Sequence, residues 1–260
     1  MSLPNATIRL FFLFALFCQA SAMQAQVKGT LNYSLTIDDG MLSQPRIVNS
    51  IVYFSGGQSL ELNLPKQVAN TKVADGDNSI TETMVVNPTK KRFVYKDTKT
   101  KKLLLGDDIA VKFYLISDTL SNFKWKISKE QKKILNYNCT KATTTFRGRN
   151  YEAWFTDDIA ISNGPWKFCG LPGLIVAVND LNSVFSYKLT GINLKAKFDP
   201  AILALPKSYA KDKATTHSAF MKAYKERLSK NEALARVVET SGNGVTSSTT
   251  IKLPEKQEKY

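Results

Sequence analysis

From Val27 onward, apolar and polar residues alternate in short runs divided by turn residues. A period of two suits an extended strand with one face inward and is incompatible with the 3.6-residue period of a helix. Val27 to Ile37 opens the pattern, Asp38-Asp39-Gly40 reads as a turn, and Ile47 to Phe54 forms a second run closed by Gly56-Gly57. Leu60, Leu62 and Leu64 alternate with Glu61 and Asn63, which predicts a half-buried strand with the leucines inward and Glu61 in solvent. Ala69 to Asn78 is polar and reads as an exposed loop. Short strands are expected over 81–87, 92–96, 102–105 and 113–116. Phe123 to Ser128 places Phe123, Trp125 and Ile127 on one face, and Cys139 to Thr156 reads as a hairpin turning at Gly148 to Asn150. An irregular apolar loop, Ile159 to Pro172, is followed by strands at Leu174 to Asn179 and Val184 to Ile192.

The period changes near the C-terminus. Between Ala210 and Arg236, His217, Met221, Tyr224 and Leu228, with Phe220 beside them, form one apolar stripe on a Lys-rich helix suited to covering an open sheet face. Ser241-Gly242-Asn243-Gly244 stops that helix, and residues 241–260 read as a flexible tail in which STTIKL could add an edge strand. The expected fold is mainly β (α+β): a curved antiparallel sheet or half-open barrel with a C-terminal helix.

Arg9, the apolar core Leu10 to Phe17 and the small residues Ala20-Ser21-Ala22 have the layout of a secretory signal peptide. Residues 1–22 are therefore expected to be removed, leaving one β-rich domain over 23–240 and the tail, exported to the periplasm or associated with the outer membrane. In that compartment the two cysteines of the mature chain, Cys139 and Cys169, are candidates for a disulfide, with two separately buried thiols as the alternative. The net charge of +14 is concentrated in Lys. From Pro88 to Lys133 there are 13 basic and 5 acidic side chains, a local excess of 13 − 5 = +8. Such a patch attracts anionic surfaces, or it blunts strand edges and keeps a β-protein soluble. No nucleic-acid-binding module is visible, so anionic lipid or glycan is the better partner chemistry.

Sites for chemistry are sparse. His217 is the only histidine and falls on the apolar stripe, the cysteines have no close-spaced partner, and the pairs Asp38-Asp39, Asp107-Asp108 and Asp157-Asp158 read as turn residues. No catalytic, metal or cofactor site is expected. The remaining feature is SNGPWKFCGLPGLI, Ser162 to Ile175. Asn163-Gly164-Pro165 reads as one turn, and Leu171-Pro172-Gly173 as a type II turn with Gly173 at positive φ. Trp166, Phe168, Leu171, Pro172, Gly173 and Leu174 then form either a plug at one end of the β core or an apolar lip beside a ligand cavity.

Gly170-Leu171-Pro172-Gly173-Leu174-Ile175, with Trp125 and the stretch from Lys133 upstream of it, resembles the GLPGLI family of exported proteins from Gram-negative bacteria. That resemblance covers Val27 to Leu194 and implies no defined activity, since the function of the family is uncharacterised. The hairpin through Asn136, Tyr137 and Cys139 is also similar to that of periplasmic lipoprotein carriers, whose curved sheet wraps an apolar cavity. Together these imply a non-enzymatic binder or carrier of a lipid or other amphiphile. The alternative is a docking partner of an outer-membrane protein, and an enzyme is the third reading.

Overall fold

A computed structural model describes residues 27–40, 43–64, 90–110, 112–120, 123–240 and 253–258, with side chains of the helix described as far as Asn231. The expected signal peptide, the loop at 69–78, the strand at 81–87 and most of STTIKL lie outside the described residues. Eleven strands run antiparallel: β1 (Lys28–Ile37), β2 (Arg46–Ser55), β3 (Gln58–Asn63), β4 (Phe93–Asp97), β5 (Lys102–Ile109), β6 (Lys112–Thr119), β7 (Lys126–Ile134), β8 (Tyr137–Phe146), β9 (Arg149–Thr156), β10 (Leu174–Asp180) and β11 (Phe185–Asn193). A two-residue β12 (Thr215–Thr216) pairs in parallel with β6 and leads into helix α1 (His217–Thr240). The spatial order is β12-β6-β5-β4-β3-β2-β1-β11-β10-β9-β8-β7, one open twelve-stranded sheet.

Most neighbours are consecutive in sequence, so short turns set the register. Arg147 and Gly148 both take positive φ, +44° and +78°, between Phe146 and its partner Arg149, the two-residue geometry that matches the twist of paired strands. Among the antiparallel strands the exception is β1, which pairs with β2 on one side and β11 on the other and joins the two halves of the sheet. β7 ends one edge, and every residue from Lys126 to Lys133 is exposed there. Its four lysines leave a charged edge unsuited to pairing with another chain.

Both faces of the sheet are covered, which explains why alternation alone assigned some residues to the wrong environment. On one face Leu60, Phe93 and Leu115 pack under the segment carrying Leu203 and Tyr209. On the other, Leu103, Leu105, Ile109 and Ile116 pack against Phe220, Met221 and Tyr224 of α1. The predicted apolar stripe of the helix is therefore the one it buries. At the far end of this second face, Tyr151, Ala153, Phe155 and Tyr187 pack against Trp166, Phe168 and Leu171 from the loop between β9 and β10. Phe123 and Trp125 precede β7 instead of lying in it, and stack in this same cluster with their ring centroids 5.5 Å apart.

The predicted type II turn at Leu171-Pro172-Gly173 is not formed. Positive φ falls instead on Gly170, at +90°. Gly173 is needed for close approach, because a Cβ there would sit inside van der Waals contact with the Thr156 carbonyl. Replacing Gly173 with Ala is expected to cost about 1–3 kcal/mol by overpacking against backbone, measured as a lower denaturant midpoint at unchanged slope. Leu181→Ala, at a residue 64% exposed, should change stability by less than about 0.5 kcal/mol.

Candidate functional site

The inward face of the sheet is concave in its contacts: the loop from β9 reaches across to β3 and β4, strands well removed from β9 in the sheet order. Two charged residues make that reach possible. Glu61 of β3 accepts a hydrogen bond from the Ser50 hydroxyl at 2.7 Å and one from the Trp166 amide at 2.6 Å. Lys96 of β4 donates to the Gly164 carbonyl at 2.7 Å and to the Phe168 carbonyl at 3.3 Å. Burial pushes the Glu61 carboxyl above its ordinary range, an effect that Lys96, Ser50 and Trp166 only partly offset. Burial likewise lowers the Lys96 ammonium, against the pull of Cys169 and Glu61. The pair holds Trp166 in a left-handed conformation, φ +48°, that a bulky residue rarely adopts unaided.

The six candidate ligand-binding residues are divided by this packing. Phe168, Leu171 and Leu174 are core residues at 0–1% exposure, Gly173 is pressed against β9, and Pro172 is exposed. Trp166 lines a cavity of about 120 Å³ together with Arg46, Glu61, Asn63, Arg92, Asp107 and Tyr187. Cys139 and Cys169 are both buried free thiols. Cys139 packs with Trp154 and Val176, and Cys169 with Leu103 and Phe220 in a separate cluster, so the candidate disulfide is not formed.

The tail is likewise not free over its described part. Residues 253–258 run through the concavity and contribute Pro254 to Gln257 to the cavity wall. Glu255 pairs with Arg149, itself fully buried and paired with Asp180 at 2.8 Å. Lys256 pairs with Asp107 at 2.8 Å, and Asp107 with Arg92 at 3.2 Å. At the end of the strap the Glu258 carboxylate meets Arg147 and Lys167, each at 2.8 Å, and His217. Asp118 joins the same cluster through both guanidinium nitrogens of Arg147, at 2.7 and 2.8 Å, and through Lys167 at 2.9 Å. Asp118, His217 and Glu258 converge closely enough to share a cation. Arg147 and Lys167 already occupy that position electrostatically, and two fixed positive charges disfavour a metal there.

Sequence reasoning missed these residues because it assumed one solvated face. Glu61 was assigned to solvent opposite the leucines and is 5% exposed; Asp107 and Asp108 were read as turn residues and lie inside β5. The available signal was register: Arg149 shares a strand face with Tyr151, Ala153 and Phe155, and Lys96 with Val94, so each charge stands among residues that must be buried.

With this geometry in hand, the comparisons with known proteins decide the family. A family model described as the N-glycanase peptide, N-terminal domain, matches residues 66–211, more than half of the chain. The chain belongs to that family. Two crystal forms of PNGF-II have a similar fold: the P21 form at 17% identity and a TM-score of 0.50, covering 78% of this chain, and the C2 form at 18% identity and a TM-score of 0.49, also covering 78%. The chain spans about a third of the length of those structures, 34% and 32%. No curated protein matches it.

This membership corrects the GLPGLI resemblance. The segment that carried the resemblance, Trp125 to Ile175, lies within the matched span, and the glycines of its hexapeptide answer to local packing, Gly173 against Thr156 and Gly170 at positive φ. It also overturns the expected amphiphile carrier and outer-membrane docking partner. The concave face holds a plug, a helix and a strap joined by ion pairs, and of the expected lip Phe168, Leu171 and Leu174 are inside that packing, leaving Trp166 at the cavity.

Two outcomes test the site. Lys96→Met leaves two carbonyls without their donor and the buried Glu61 carboxylate without its nearby positive charge and should cost about 3–5 kcal/mol, with part regained in Lys96→Met/Glu61→Gln as a coupling in a double-mutant cycle. Burial opposes the Asp118 carboxylate, yet Arg147 and Lys167 outweigh it and hold Asp118 well below the usual carboxylate range. A folded pKa below the unfolded value gives stability that is present above about pH 4 and lost as pH falls. Asp118→Asn should lower stability at pH 7 and flatten the acid limb of a denaturation profile.

Proposed function

We propose that this chain is a glycoprotein-recognition domain of the N-glycanase type, which holds the glycosylated segment of a substrate on the concave face of its sheet. The observation that carries the reading is the cavity wall, in a chain of this family. Trp166 and Tyr187 supply flat apolar surface, and Arg46, Asn63, Arg92 and Ser50 supply donors and acceptors. Aromatic faces bordered by side chains able to make several hydrogen bonds suit a sugar, whose rings have apolar C–H faces and hydroxyl rims.

The domain acts by binding. Hydrolysis of a glycosylated amide needs a proton donor and a base or water-holding group directed at one bond. The acid at the cavity wall with a raised pKa, Glu61, has both oxygens engaged, by Ser50 and by the Trp166 amide. Its partners are structural, and it ties the loop in place. Asp107 is held by Lys256 and Arg92, which keep it ionised against the opposing effect of burial.

The expected result is that an N-glycosylated peptide binds the full chain and its sugar-free counterpart binds at least ten-fold more weakly by isothermal titration. Asn63→Ala should weaken the glycopeptide at least five-fold without lowering the melting temperature. No glycan should be released, as followed by mass spectrometry. Equal binding of the two peptides overturns the recognition reading, and glycan release by the purified chain, lost in Glu61→Gln, would make the domain catalytic.

A further inference from the structure

The strap lies beyond residues 66–211, so the family match says nothing about it. Its anchoring divides into two kinds. Three side chains donate to its backbone carbonyls: Tyr224 Oη to Pro254 at 2.9 Å, Arg149 to Lys256 at 3.1 Å and Tyr151 Oη to Gln257 at 2.5 Å. These bonds fix an extended chain whatever its side chains. The side chains are then read by charge: Glu255 by Arg149, Lys256 by Asp107, Gln257 by the Tyr187 hydroxyl, and Glu258 by Arg147, Lys167 and His217. The sheet thus presents a positive, negative, neutral and positive series to an acidic, basic, polar and acidic segment. Only Leu253 and Glu258 are buried; the four residues between them are half-exposed, so the strap lies on the surface of the groove.

We infer that this groove is a binding site for extended peptides bearing a carboxylate, and that residues 253–258 fill it in cis as a stand-in for such a ligand. The anchor is the Glu258 pocket. Arg147 and Lys167 there both hold two carboxylates, Asp118 from β6 and Glu258 from the strap, and the strap's departure removes the second. With the strap seated, Lys167 is 3% and Asp118 8% exposed at the side chain, so the Glu258 carboxylate takes the place of water at the Lys167 ammonium. The strap also forms one wall of the cavity, and its departure widens the space in which Trp166 and Tyr187 are presented. This inference rests on the glycoprotein reading and names the part of the substrate that lies along the groove, the polypeptide beside the glycosylated residue. The strap competes with that polypeptide.

The test uses a sugar-free fluorescent peptide with the strap sequence LPEKQE, so it can fail while glycan-dependent binding stands. A chain lacking residues 253–260 should bind the peptide by fluorescence anisotropy, at least ten-fold more tightly than the full chain does. A peptide with the Glu258→Gln change should bind the shortened chain at least ten-fold more weakly. A shortened chain that melts cooperatively and does not bind the peptide, or binds both peptides equally, overturns the inference. If the shortened chain does not fold, the full chain carrying Glu258→Gln decides: tighter peptide binding than the parent supports the inference, and unchanged binding overturns it.

Discussion

The fold depends on a buried exchange of hydrogen bonds between a loop and two strands that it reaches from the far half of the sheet. Glu61 takes the Trp166 amide and Lys96 takes the carbonyls of Gly164 and Phe168. A loop buried against a sheet carries backbone polar groups that must find partners or cost several kcal/mol in total. Here one acid and one base supply them. Once the loop is held, Phe168 sits among Phe123, Tyr151, Trp166 and Tyr187 with ring centroids 4.9 to 6.1 Å apart. That aromatic cluster joins β9 and β11 to the segment before β7. The open sheet then has an interior.

The same logic extends along the concave face. A twelve-stranded sheet with apolar residues on its whole inner surface would need a large apolar cover, and α1 covers only the end near β5 and β6. The remainder is closed by charge: Arg149 with Asp180 and Glu255, Arg92 with Asp107 and Lys256, and the Asp118–Arg147–Lys167–Glu258 cluster. The pairs that are out of water, Arg149 with Asp180 and Lys167 with Asp118 and Glu258, contribute little net stability over apolar packing, but they fix partners strictly, since removing one member strands the other. The interior is thus specified by pairing more than by volume.

Strands and their turns were legible in the sequence because hairpin connections keep neighbours in chain order, and period two survives at Val27–Ile37 and Ile47–Phe54, while Leu174–Asn179 is a short apolar run buried on both faces. The helix was legible from His217, Phe220, Met221 and Tyr224, although its start lies at His217 and not Ala210, because β12 and a short 3-10 turn occupy the preceding residues. The candidate site was legible only at Trp166. Alternation shows which residues share a face but not whether that face meets water, and for Glu61, Lys96 and Asp107 the decision was made by a loop and a strap far away in sequence. The hexapeptide misled for a related reason: Gly173 and Leu174 record how tightly β10 leaves Thr156, a requirement that unrelated chains can share.

The strap also sets an order of assembly. Arg149 and Tyr151 stand 106 positions before the residues that satisfy them, and Arg147 stands 111 before Glu258. A ribosome would expose the whole sheet long before these counter-charges emerge. The nascent bowl would hold its arginines in water-filled space until then. Its interior would then dry last, with a peptide seated on strands already paired.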